Sequence, residues 1–79
     1  METSLCALCP GQTGRISMMA LKGCLQRRLI SMGLIEGTKI QCLRVSPSGS
    51  PILYRVRGMM LALRRCDAKH IYVAVESCV

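Results

Sequence analysis

The chain contains no tryptophan and no phenylalanine, and Tyr54 and Tyr72 are its only aromatic residues. This shortage has two consequences. The core must be aliphatic, built from Leu, Ile, Val, Met and Cys. A row of exposed aromatics for stacking single-stranded nucleic acid is also out of reach, so a nucleic-acid partner is not expected. Carboxylates are scarce too: four Asp and Glu stand against eleven Lys and Arg, for a formal net charge of +7. The four are scattered, no Ser-His-Asp set is present, and no glycine-rich loop of phosphate-binding type occurs. The chain does not read as an enzyme. No apolar run reaches the roughly 18 residues that a membrane-spanning helix needs. Met1–Ser4 lacks the basic start and apolar stretch of a secretory signal, so the six cysteines are expected as reduced thiols in a cytoplasm, not as a disulfide framework.

What is present is short and strongly punctuated. Seventy-nine residues, 51% of them hydrophobic, make a single domain over residues 1–79, near the lower limit of a self-sufficient core. Residues 1–9 are expected as a flexible N-terminus. Beyond them, Gly33 and Gly37, then Pro47, Gly49 and Pro51, then Gly58 cut the apolar sequence into pieces of about six residues, which is strand length.

Cys9–Gln12 reads as an opening turn, followed by an alternating strand over 14–18. Between Gly23 and Met32 the period changes: Leu21, Leu25, Leu29 and Met32 share one arc at helical spacing. Gly23 suits the N-cap, and Gly33 suits a left-handed C-terminal cap with Leu34 folding back onto the last turn. Arg28 falls near the middle of the apolar arc and must snorkel out of it, whereas Ile30 lies on the polar side as a candidate partner contact. From Thr38 to Val45 the alternation slips between Cys42 and Leu43, which predicts a bulge. Pro47–Pro51 is a turn into the strand Ile52–Arg57, where Ile52, Tyr54 and Val56 share the core face. Gly58 permits a tight reversal into Met59–Leu63. One helical turn then precedes a last strand over 71–75. The fold class is mainly β: a small five-stranded barrel with one short helix at about 23–32. Its methionines are expected to be core filler and not metal ligands.

Three pieces in order resemble one family. They are the helix end Arg28-Leu29-Ile30-Ser31-Met32-Gly33-Leu34 followed by Gly37, the turn Pro47-x-Gly49-x-Pro51-Ile52, and Arg57–Arg65 with Ala68, Ile71 and Val73. Together they resemble the FeoA family across about Pro10 to Val75. Glu36 stands where that family commonly has Pro, and Ser50 where Asp is usual. The resemblance implies an SH3-like barrel, a cytoplasmic location peripheral to the membrane, and a role in ferrous iron transport beside FeoB, a membrane transporter with a GTP-binding cytoplasmic domain. The expected docking residues are Arg27, Ile30, Met32, Gly33, Leu34, Gly37, Pro47, Gly49 and Pro51. Arg27, Arg28 and Arg55 would face an acidic patch on the transporter, and a charged residue in place of Ile30 or Leu34 would impair uptake while the isolated domain remains folded. Self-association through exposed strand edges is a further expectation.

Two other functions compete with this one. Cys6 and Cys9 have the spacing of a metal-ligand pair, and a site would be assembled from Cys6, Cys9 and Cys78, or from Cys66 and His70, four apart on a helical turn. The ion would be a transition metal, Fe2+ or Zn2+, in a metal-sensing module; no cofactor is otherwise required. The last alternative is a basic small barrel that binds nucleic acid.

Overall fold

The computed structural model describes residues 2–21 and 23–77. In chain order the elements are β1 (Glu2–Ser4), a 3₁₀ turn (Leu5–Ala7), β2 (Thr13–Met19), α1 (Cys24–Ser31), β3 (Lys39–Val45), β4 (Ile52–Val56), β5 (Met59–Leu63), the single helical turn α2 (Arg65–Ala68) and β6 (Ile71–Ser77). The strands form one antiparallel sheet in the order β1-β6-β2-β3-β4-β5. The architecture is mainly β and SH3-like, with six strands where five were expected. The extra strand lies in the segment expected to be flexible. Glu2–Ser4 pairs with Tyr72–Ala74 of β6, and Leu5 and Leu8 are buried in the core. Two large aliphatic side chains within four residues anchor what composition alone presents as a polar terminus.

The core is aliphatic, as the composition requires. Ile16, Leu29, Leu34, Ile40, Ile52, Val56, Leu63, Ile71 and Val73 are buried together with Cys42 and Tyr54. Tyr54 is fully buried, and its hydroxyl donates to the Leu5 carbonyl at 3.2 Å. That bond answers the one polar atom the aromatic brings inside, and it ties the N-terminal turn to β4. Burial pushes the Tyr54 phenol well above its ordinary range, with the nearby Cys42 and Cys6 thiols adding to the shift and Arg65 opposing it.

Helix α1 ends as its sequence predicts. Gly33 has φ +102°, the Leu34 N–H donates to the Leu29 carbonyl and the Gly33 N–H to that of Ile30. This is the Schellman arrangement, and the accompanying apolar contact comes from Leu29 and Leu34, both buried. The β3–β4 ladder shifts register between Cys42 and Arg44, where the slip in alternation predicts a bulge. Arg28 is exposed in the last turn of α1, with its head group in solvent. One expectation is corrected. The methionines are not uniformly core filler, because Met18, Met59 and Met60 are exposed and, among the described residues, Met19 and Met32 pack against the core.

Candidate partner-docking groove

The chain between α1 and β3 is held by a compact set of bonds. The Thr38 hydroxyl donates to the Gly33 carbonyl at 2.9 Å and accepts from the Ile35 N–H at 3.3 Å. The Gly37 N–H donates to the Ile16 carbonyl at 2.7 Å, and the Ile16 N–H returns to that of Thr38. Arg15 donates to the Gly37 carbonyl and pairs with Glu76 at 2.6 Å. The loop is therefore fixed before any partner arrives.

Opposite it stands the β4–β5 turn. Arg57 and Gly58 are its two central residues, and both have positive φ, 51° and 81°, the geometry that lets a two-residue turn follow the twist of its strands. The Arg57 side chain lies across Gly33, so close that a Cβ on Gly33 would sit 2.6 Å from Arg57 Cδ. Two segments 24 positions apart thus define one wall.

Between loop and turn runs a groove of about 670 Å³, lined by Thr13 of β2, Ile35–Thr38, Lys39 and Gln41 of β3, and Arg55, Arg57 and Gly58. Strand register explains the set: Thr13 pairs with Gln41 and Gln41 with Arg55, so one row of side chains crosses three strands on the outer face. Lys39, Arg55 and Arg57 converge there with Glu36 as the lone carboxylate. Among the described residues the ion pairs are Arg15–Glu76 and Arg64–Asp67, so the three groove cations have no partner. Like charges gathered across neighbouring strands repel one another, and an anionic group entering the groove would relieve that repulsion. Ile35, 51% exposed, adds an apolar contact at the edge.

The expected docking residues are distributed unevenly about this groove. Gly37 lines it, and Gly33 supports it from behind Arg57. Arg27 and Ile30 are exposed on α1, outside the lining. Met32 is half-buried against the core. Leu34 is fully buried; it anchors the loop from beneath and offers no contact to a partner, and a charge placed there would enter the core. Pro47, Gly49 and Pro51 lie at the far end of β3 and β4, about 20 Å away at ~3.3 Å per strand residue. Sequence reasoning missed Lys39, Arg57, Ile35 and Thr38. The available signal for Lys39 and Arg57 was the alternation of Lys39 with Gln41 and of Arg55 with Arg57; Ile35 and Thr38, in the loop before β3, carry no such pattern.

The cysteines expected as metal ligands are spread over separate elements among the described residues. Cys6 is half-buried, Cys9 and Cys66 are exposed, and His70 is exposed in the turn after α2. Among the described residues no three His, Cys, Asp or Glu side chains converge on a metal-binding geometry, and Cys78 lies outside the described residues. Cys42 is the buried thiol: desolvation pushes its pKa up, and negative charge on nearby Cys9 adds to that. Tyr54 is buried and Tyr72 half-buried, so neither offers an open stacking face to nucleic acid. Among the described residues no helix is long and apolar enough to cross a membrane.

Comparison with known proteins supplies the remaining observations. Residues 3–75 match the FeoA domain family. The Fe(2+) transport protein A/Fe(2+) transporter FeoB fusion protein of Porphyromonas gingivalis is 32% identical over 56 residues, covering 71% of this chain. The chain spans only 7% of that relative's length. Among solved structures, the FeoA protein of Chlorobium tepidum superposes with a TM-score of 0.91 at 33% identity, covering 95% of this chain and 71% of that one. A zinc complex of Stenotrophomonas maltophilia FeoA, described as a prokaryotic SH3 domain protein, gives 0.76 at 26% identity, covering 94% and 89%.

Proposed function

The chain belongs to the FeoA domain family, and from that membership we propose that it is a small cytoplasmic accessory of ferrous iron uptake that docks on a FeoB-type transporter. The family is one of transport accessories and not a known enzyme class. The observation that carries the docking mode is the convergence of Lys39, Arg55 and Arg57, without partner carboxylates, beside a loop already fixed by Thr38. An acidic segment on the cytoplasmic GTP-binding region of the transporter is the complementary surface. A relative that carries both proteins in one chain supports their working side by side.

The physics of such a contact is steering followed by fit. The +7 net charge speeds encounter with an acidic surface and orients it. Because the Gly33–Thr38 loop is preformed, docking does not have to order it, so less of the interaction free energy is lost to entropy. Ile35 and Ile30 supply apolar contacts beside the charged set.

The test is a titration of the chain against the isolated cytoplasmic region of a FeoB-type transporter. Affinity is expected to fall as salt rises from about 50 to about 200 mM, because the screening length is about 10 Å at 0.1 M and shortens further above it. The double variant Arg55→Glu with Arg57→Glu is expected to weaken binding about tenfold or more, equivalent to roughly 1.4 kcal/mol. Its thermal unfolding should be unchanged, since both side chains are exposed. Affinity indifferent to salt and to both reversals would remove the groove from this reading.

A further inference from the structure

Strand β5 is one of the two edges of the sheet, and it lacks the devices that usually protect an edge. Its sequence, Met59-Met60-Leu61-Ala62-Leu63, has no charge and no proline, and its five pairs with β4 run without a register shift. Charged residues, prolines and bulges are what normally keep an edge from pairing with another chain. The opposite edge, β1, is only three residues long and carries Glu2.

The backbone of β5 is open in a defined pattern. The two-residue turn makes Val56 and Met59 a hydrogen-bonded pair, and pairs alternate along an antiparallel ladder. Met60 and Ala62 therefore turn their N–H and C=O groups away from β4. Among the described residues β5 makes no backbone hydrogen bond except within its own ladder.

Both faces of the strand are also uncovered at its Met59–Met60 end, while farther along Leu61 packs against the core and Leu63 is buried in it. On the core side, Met59 is 41% exposed although Val56, directly across the ladder, is 1% exposed. On the outer side Met60 is 64% exposed and Ala62 is exposed. Apolar side chains stand open above and below an unpaired backbone.

Charge at the ends selects the occupant. Arg57 precedes β5, Arg64 and Arg65 follow it, and Arg55 stands opposite Met60; all four are exposed. Among the described residues Arg55 and Arg57 have no partner, Arg64 pairs with Asp67 at the surface, and Arg65 gives one guanidinium N–H to the Gly49 carbonyl. Antiparallel pairing of two copies through β5 would set Arg57 of each against Arg64 and Arg65 of the other, and like charges directly opposite are destabilising. A foreign segment with the reverse pattern meets no such penalty. We propose that β5 is a strand-addition site for an extended peptide segment of about five residues, alternately apolar and polar, with acidic residues at each end. Main-chain bonds to Met60 and Ala62 would supply affinity, and the flanking arginines would supply register and direction. This goes beyond the groove: it involves a different backbone and is testable without any transporter.

The experiment titrates the full chain with a labelled Asp-Glu-Val-Thr-Val-Thr-Val-Glu-Asp peptide, read by fluorescence anisotropy and by amide chemical shifts. Saturable binding is expected, with the main shifts at Met60 and Ala62. The same peptide N-methylated at alternate residues keeps its side chains but loses ladder donors, and should bind roughly tenfold or more weakly. A counterpart with lysines at both ends should not bind. Ala62→Pro should abolish binding while preserving the β4–β5 ladder, because the Ala62 N–H faces outward. The N-methylated peptide keeps the test independent of how that variant folds. Absence of binding, equal binding of the N-methylated peptide, shifts confined to Lys39, Arg55 and Arg57, or a concentration-dependent dimer that excludes the peptide would each overturn the proposal.

Discussion

The paired strands β3 and β4 have two ends, and arginine behaves differently at each. At the Pro47–Pro51 end the turn closes on itself, with the Gly49 N–H bonded to the Ser46 carbonyl and the Ser46 N–H to that of Pro51. Arg65 completes it: its guanidinium donates to the Gly49 carbonyl at 3.0 Å and its backbone N–H to the Ser50 hydroxyl at 3.1 Å. At the groove end, neither Arg55 nor Arg57 has a hydrogen-bond acceptor or an ion-pair partner among the described residues. One end uses a cation to finish the fold; the other holds its cations toward solvent. A basic residue is thus a better guide to binding when the structure gives its head group nothing to do.

The sharpest way to break this comparison is to remove the anchor of the groove end. Leu34→Ala deletes a fully buried side chain and should cost about 2–5 kcal/mol, read by urea unfolding, with loss of loop order in amide exchange. A cost below about 1 kcal/mol would mean the loop does not depend on its burial. Gly33→Ala is expected to be intermediate. It forces a side chain into φ +102° and displaces Arg57, for roughly 1–2 kcal/mol together with weakened docking. Full stability and full docking would show that Arg57 is not fixed by this contact. At the other end Arg65→Ala should cost the least, about 1 kcal/mol or less for the one exposed side-chain bond it removes, since the backbone N–H bond to Ser50 is kept, and should leave docking intact. Docking that failed in Arg65→Ala as it does in the groove variants would erase the distinction between the ends.

Much of the frame was readable in the chain because local rules and tertiary packing agree there. Gly33 and Leu34 close α1 as their identities demand, the slip at Cys42 is a bulge, and the alternation of Ile52, Tyr54 and Val56 names the core face of β4. The first strand was not readable, because three polar residues carry no periodic signal and their order comes from Leu5 and Leu8 reaching a core made elsewhere. The docking residues were half readable. Turn chemistry marked Gly33 and Gly37, yet it marked Pro47, Gly49 and Pro51 equally, since a glycine shapes a turn whether or not the turn binds anything. Which turns face one another is set by long-range register. The meeting of Arg57 with Gly33, and hence the groove, follows from pairing that no local pattern contains. The methionines misled for a related reason: Met59 alternates in phase with the core, but the core stops short of it at the sheet edge.

The pairing of Ser77 with Thr13 has a consequence for any polypeptide joined beyond β6. Thr13 lines the groove, so β6 ends beside it. A short flexible connection there would hold an attached acidic segment at an effective concentration of about millimolar order. Even a weak groove would then be largely occupied in cis, and changing the length of that tether would tune how often it opens to a partner in trans.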